Sequence, residues 1–241
     1  MLTGIRRRSP LKGLLRMFSS RTADPAGTPA GPAGAATRDA DAAFLSRLRA
    51  RIVPKAIGAE GVFAYARPFA AGLVTVLCVD HPESVETLTD RSVAGADLDF
   101  LFEIGIANTM RESVDVDREI SPGVRVFAGD SLFSASQAIQ MEQVVSRRFG
   151  SAPLGVAFAL PHRHLMLAHR LSDSDSIVAV TRLARLLAIH SAEAPGGSLS
   201  PLVYFWRDGV IETAGRPSLD GSMEMNGARE FSKALEEASG R

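Results

Sequence analysis

The chain has 241 residues, of which 46% are apolar, 22% charged and 6% aromatic, a mix that excludes a collagen-like or wholly disordered polypeptide. Lys plus Arg equals Asp plus Glu at 27 each, so the chain as a whole carries no charge excess for a polyanion. A lone cysteine, Cys78, excludes an internal disulfide and a Cys-rich zinc site, and no stretch reaches the ~20 apolar residues of a membrane span.

Residues 1–38 form a distinct N-terminal arm, basic and then rich in Pro, Gly and Ala, that is expected to be disordered. Its first part carries Arg6, Arg7, Arg8, Lys12, Arg16 and Arg21 without an acid. Leu11, Leu14, Leu15 and Phe18 fall on one side of a short helix, so weak contact of residues 1–21 with an anionic membrane surface is one reading. An organelle presequence and a plain extension, with Met17 as the alternative start, are the others. Ser9, Pro10, Lys12 and Gly13 interrupt the apolar run that a secretory signal needs, and a cytoplasmic location is expected. Pro25, Pro29 and Pro32, with Gly27, Gly31 and Gly34, make the linker that follows.

From residue 39 the pattern is that of a single folded domain reaching to 215. Asp39 or Asp41 caps a predicted helix to Val53, with Phe44, Leu45, Leu48 and Ile52 on one side and Pro54 ending it. Runs Gly61–Arg67 and Leu73–Val79 read as an antiparallel hairpin, with Cys78 a core residue of the second and His81 across a turn from it. Asp97 or Asp99 opens a helix to Arg111 that is apolar around most of its girth, hence sandwiched. Glu103 and Asn108 stand out there as buried polar anchors. Asp115, Asp117 and Glu119, with Glu112, form an acidic loop that lacks the glycine and final glutamate of a calcium hand.

Val124–Ala128 reads as a strand. Asp130 or Ser131 then caps a long helix to Phe149, with Ala138, Met141, Val145 and Phe149 inward and Gly150 as terminator. Leu154–Leu160 and Leu165–Leu171 are strands joined by the turn Pro161-His162-Arg163-His164. Ser174 or Ser176 opens a helix to His190. Leu202–Trp206 and Val210–Thr213 flank Arg207-Asp208-Gly209, a strong hairpin signal. Residues 216–241 read as a flexible C-terminal tail in which only Arg229–Ala238 looks helical, with Phe231, Ala234, Leu235 and Ala238 as its apolar stripe. The sum is an α+β fold: an antiparallel or mixed sheet of hairpins with helices packed on one face. Val156–Leu160 and Val203–Trp206 are apolar on both faces and belong at its centre.

Three segments share an order with a known family. They are Leu98–Leu101 with Ile106–Glu112, then Ser131–Gln137 after a short strand, then Gly155–Leu167. Together with Tyr204–Gly209 they resemble the YtpQ-like family of uncharacterised bacterial proteins over about residues 85–213. The resemblance implies a fold in a bacterial protein and no mechanism, because the family carries no established activity. The family's turn often has Asp where this chain has His164.

His162, His164 and His169 are the foremost candidate site residues. Two residues apart on a strand, His162 and His164 point the same way and suit one metal ion, whereas His169 falls on the other face unless a bulge intervenes. The chain has no Gly-x-Ser-x-Gly nucleophile turn, no phosphate loop, no dinucleotide fingerprint and no nucleic-acid module. The sequence therefore reads as a non-catalytic module that binds or regulates an unidentified protein, without a cofactor. The alternative is a metal-dependent hydrolase built on His162 and His164.

Overall fold

A computed structural model describes residues 41–58, 61–218, 222–225 and 227–240; the expected arm over 1–38 lies outside them. The fold is α+β and is built on two antiparallel sheets.

The first departure from the sequence reading is at the start. Helix α1 occupies 41–47 and stops there; the chain continues as strand β1 (Leu48–Pro54). Leu48 and Ile52 fit a helical stripe, but Leu48, Ala50 and Ile52 also alternate with Arg49 and Arg51. The strand period wins, since all three of those apolar residues are fully buried. Residues 61–66 form turns instead of a strand, because the Asp90 carboxylate takes the Ala64 and Tyr65 N–H groups, each at 3.0 Å. The hairpin itself is β2 (Arg67–Ala70) and β3 (Leu73–His81), followed by β4 (Ser84–Thr87). Strand β3 pairs with β1, β2 and β4, and this four-stranded sheet buries Cys78 as expected.

Helix α2 (Leu98–Thr109) starts where Asp97 accepts the Phe100 N–H at 3.1 Å. It lies on β1 along Leu101, Phe102, Gly105 and Thr109. Gly105 permits the approach: a Cβ there would stand 3.1 Å from the Ala50 nitrogen. Glu103 and Ala107 face solvent, so the helix is covered on one side only and is not sandwiched.

The larger sheet has seven strands in the order β11-β10-β9-β7-β8-β6-β5. They are β5 (Val116–Ser121), β6 (Val124–Ala128), β7 (Val156–His162), β8 (Leu165–Arg170), β9 (Val203–Arg207), β10 (Val210–Pro217) and β11 (Met223–Met225). Strands β7 and β9 are interior, as their two apolar faces require. Asp208 and Gly209 both take positive φ, 50° and 84°, in the predicted two-residue turn between β9 and β10.

Helices cover both faces of this sheet. On one side α4 (Ser176–Ala192) and α5 (Arg229–Ser239) pack Val180, Leu183, Leu187 and Phe231 against Ala157, Leu167 and Phe205. On the other, Phe158, Met166 and Tyr204 meet a 3-10 helix (Ala135–Gln140) and α3 (Met141–Phe149), with Ile52 and Leu73 of the smaller sheet in the same cluster. A strand apolar on both faces needs two covers, and the chain supplies them.

The predicted single helix from Ser131 to Phe149 is thus broken in two. The Ala135 N–H donates out of the segment to the Arg163 carbonyl at 3.1 Å, and the Gln140 backbone leaves the helical region at φ −116°, ψ 57°. The C-terminal stretch is not a tail. Residues Met223–Met225 pair with β10, and α5 buries Phe231, Ala234 and Ala238. Truncating Phe231→Ala should cost about 3–5 kcal/mol of unfolding free energy, as for a fully enclosed aromatic; urea denaturation of the full chain measures it, and a change near zero would show that α5 does not hold the core.

Candidate functional site

Strand β7 ends at His162, and Arg163 and His164 form the turn into β8. His162 Nδ1 accepts the His164 backbone N–H at 3.3 Å, and the two rings lie 6.0 Å apart. His164 Nε2 accepts from Arg163 Nε at 3.2 Å, which leaves Nδ1–H to donate to the Gly129 carbonyl at 3.3 Å. That pair of partners suits a ring proton on Nδ1.

His169 is elsewhere. It sits in β8 with Leu165 and Leu167 on the α4 side of the sheet, 6% exposed. Its Nδ1 donates to the Gly123 carbonyl at 2.6 Å, and its Nε2 is buried without a partner among the described residues. The structure therefore joins His162 to His164 and parts both from His169. Among the described residues no three His, Cys, Asp or Glu side chains gather as a metal would require.

The acidic run does not converge either. Its residues are largely a strand, β5, where the sequence reads as a loop. Asp117 bridges Arg125 at 2.6 Å and Arg148 at 2.8 Å. Glu119 accepts the Gly123 N–H, and Asp115 the Asp130 N–H, each at 3.0 Å. Glu112 is bound by Arg49 Nε at 2.6 Å and by the Ser131 hydroxyl at 2.7 Å. Of the two polar residues picked out on α2, Glu103 is exposed. Asn108 is the anchor: its Nδ2 donates to the Leu45 and Leu48 carbonyls at 2.8 and 2.9 Å, fixing the step from α1 to β1.

An open cleft of about 380 Å³ lies between α2 and α3. Glu103, Arg111, Gln140, Gln143 and Arg147 supply its polar lining, which offers no imidazole, thiol or hydroxyl for nucleophilic chemistry. Cys78 is no nucleophile: burial pushes its thiol up to about 12, against the smaller opposing pull of Arg51.

What the sequence did not single out is the cationic surround of the His162–His164 turn. Burial lowers the pKa of His162 first, and then His164, His190 and Arg163, all potential cations, push it further down. Arg51, from the smaller sheet, is lowered by burial and by Arg163. Arg51 is unremarkable in its own segment; the docking of β1 beside the turn brings it to the histidines.

No helix among the described residues is long and apolar enough to cross a membrane. No protein-family model, curated protein or solved structure matches the chain.

The two lowered imidazoles set the acid response. A histidine whose pKa falls on folding binds protons more readily in the unfolded chain, so its penalty is absent above the ordinary value of 6.5 and grows as pH falls below it. Unfolding free energy should therefore drop from about pH 7 to about pH 5, and His169→Asn, which keeps an N–H for Gly123, should flatten part of that drop. Denaturant curves across the range test this, and an unchanged slope in the variant would refute it.

Proposed function

We propose that this chain is a non-catalytic module that binds or regulates a protein partner. The observation that carries the reading is the fate of its carboxylates. Asp117, Glu112, Asp115 and Glu119 are each engaged by a guanidinium or a backbone N–H, so these four acids serve the fold's own contacts. The outer face of α4 adds contact surface, since Ile177, Val178 and Ile189 are about half exposed there, at 51%, 48% and 56%. The YtpQ-like resemblance supplies no activity to set against this.

The competing assignment, a hydrolase with a metal on His162 and His164, requires a cation to sit among Arg163, His190 and Arg51. Metal analysis and melting of the purified chain with added zinc or manganese separate the two. The expected result is sub-stoichiometric metal and a melting temperature indifferent to chelator; stoichiometric metal that disappears in His162→Ala would replace the module by the hydrolase.

A further inference from the structure

We propose that the corner where the β7–β8 turn meets β1 binds a phosphoryl-type oxyanion, held by the guanidinium groups of Arg51 and Arg163 with His162 and His190 at its margin. Backbone contacts bring the turn, β1 and the segment after α4 to one place, and His190 adds its field at His162. The Ile52 N–H donates to Ser136 Oγ at 3.0 Å and the Ala135 N–H to the Arg163 carbonyl at 3.1 Å, so the Ala135–Ser136 pair is flanked by Arg163 on one side and the Arg51–Ile52 step on the other. The Leu199 N–H donates to the Pro161 carbonyl at 3.0 Å, which lays the segment after α4 along the same turn. In that segment Gly196 receives the Arg163 guanidinium: a Cβ there would stand 2.7 Å from Cζ and both terminal nitrogens.

Among the described residues, the charges of Arg51 and Arg163 have no carboxylate counterpart. Arg49, Arg148 and Arg207 are largely covered, and each reaches a carboxylate. Arg51 and Arg163 are also partly covered, yet neither makes an ion pair among the described residues. The Arg51 Nε is buried with no acceptor among the described residues. Arg163 uses its Nε on His164, another cation-forming group. A covered guanidinium without an anion is a standing cost to the fold, and two that repel each other increase it. An anion between them removes both penalties at once.

The chemistry favours a tetrahedral dianion over a carboxylate. A planar carboxylate is satisfied by one guanidinium fork, whereas phosphate presents oxygens in several directions and takes two forks arriving from different sheets. Metal cations are disfavoured by the same charges. The inference deepens the binding-module reading and rests on it, since it names a ligand held without turnover.

The test uses the full chain, with inorganic phosphate as probe and sodium chloride at equal ionic strength as reference. Phosphate should raise the melting temperature saturably and bind by calorimetry. Arg51→Gln and Arg163→Gln should each weaken binding roughly tenfold or more, the worth of a charge-assisted hydrogen bond. Arg170→Gln, at the opposite end of β8, should bind as the parent does. In phosphate-free buffer Arg51→Gln should melt no lower than the parent, a result a purely structural arginine would not give. A second arm with O-phosphoserine identifies the source: binding in either arm supports the site, and the tighter ligand shows whether it takes a free or an esterified phosphoryl group. No stabilisation beyond chloride, or full retention in both arginine variants, would overturn the site and leave the module reading standing. Release of phosphate from the ester would overturn the module reading and leave the site standing.

Discussion

The Glu112 carboxylate lies just beyond the end of α2, between the two sheets. One oxygen takes Arg49 Nε of β1 at 2.6 Å, and the other takes the hydroxyl of Ser131, at the head of the segment that covers the larger sheet. Its backbone carbonyl accepts the Gln137 side-chain amide at 2.9 Å. Arg49 and Glu112 are 16% and 17% exposed, so the pair is screened far less than a surface bridge. Through Ser131 and Gln137 this residue sets where the 3-10 helix lies. That placement in turn lets Ser136 hold β1 and Ala135 hold the turn after β7. Tyr204 closes the same seam from the other direction, donating to the Ala71 carbonyl at 2.8 Å from the middle of the larger sheet.

With the seam fixed, the rest of the architecture follows from apolar surface. The smaller sheet buries Leu48, Leu77 and Val79 under α2. The larger one is covered twice, and its second cluster reaches across to Ile52 and Leu73. The two sheets therefore share one buried cluster, and each also has a cluster of its own. Most charged side chains near the seam are committed to holding it. Arg51 and Arg163, which make no ion pair among the described residues, stand out against that background.

Much of this was legible in the sequence. The strands β6, β8 and β9, the helix α4 and the Asp208-Gly209 hairpin all carry local signals that agree with their tertiary role, whereas α2 is helical as read but covered on one side only. The misreadings have a common cause, which is a local pattern with two solutions. Leu48 and Ile52 satisfy a period of 3.6 and, through Ala50, a period of two; only the partner strand β3 decides. Ser131 to Phe149 is helical by composition, but a backbone N–H committed to Arg163 breaks the ladder. The stripe on α5 was visible as Phe231, Ala234 and Ala238, yet a thin stripe does not say whether anything waits to receive it. At the candidate site the His162–His164 turn could be picked from spacing alone. Arg51 could not, because the residue that matters lies more than a hundred positions away and reaches the turn only through the seam. The acids read as a polar loop for a related reason: the cations that hold Glu112 and Asp117 lie on β1, β6 and α3, far along the chain.

The strand order has a consequence for how the protein is made. Strand β7 is the centre of the larger sheet, but its neighbour β9 follows only after α4, and α5 comes later still. On the ribosome, Val156–Leu160 must wait with one hydrogen-bonding edge unpaired while some forty further residues emerge, a delay of seconds at ordinary synthesis rates. An interrupted or stalled chain would display an apolar strand edge open to any other nascent segment. The last hairpin and its helix thus act as the cap that ends the molecule's period of vulnerability to aggregation.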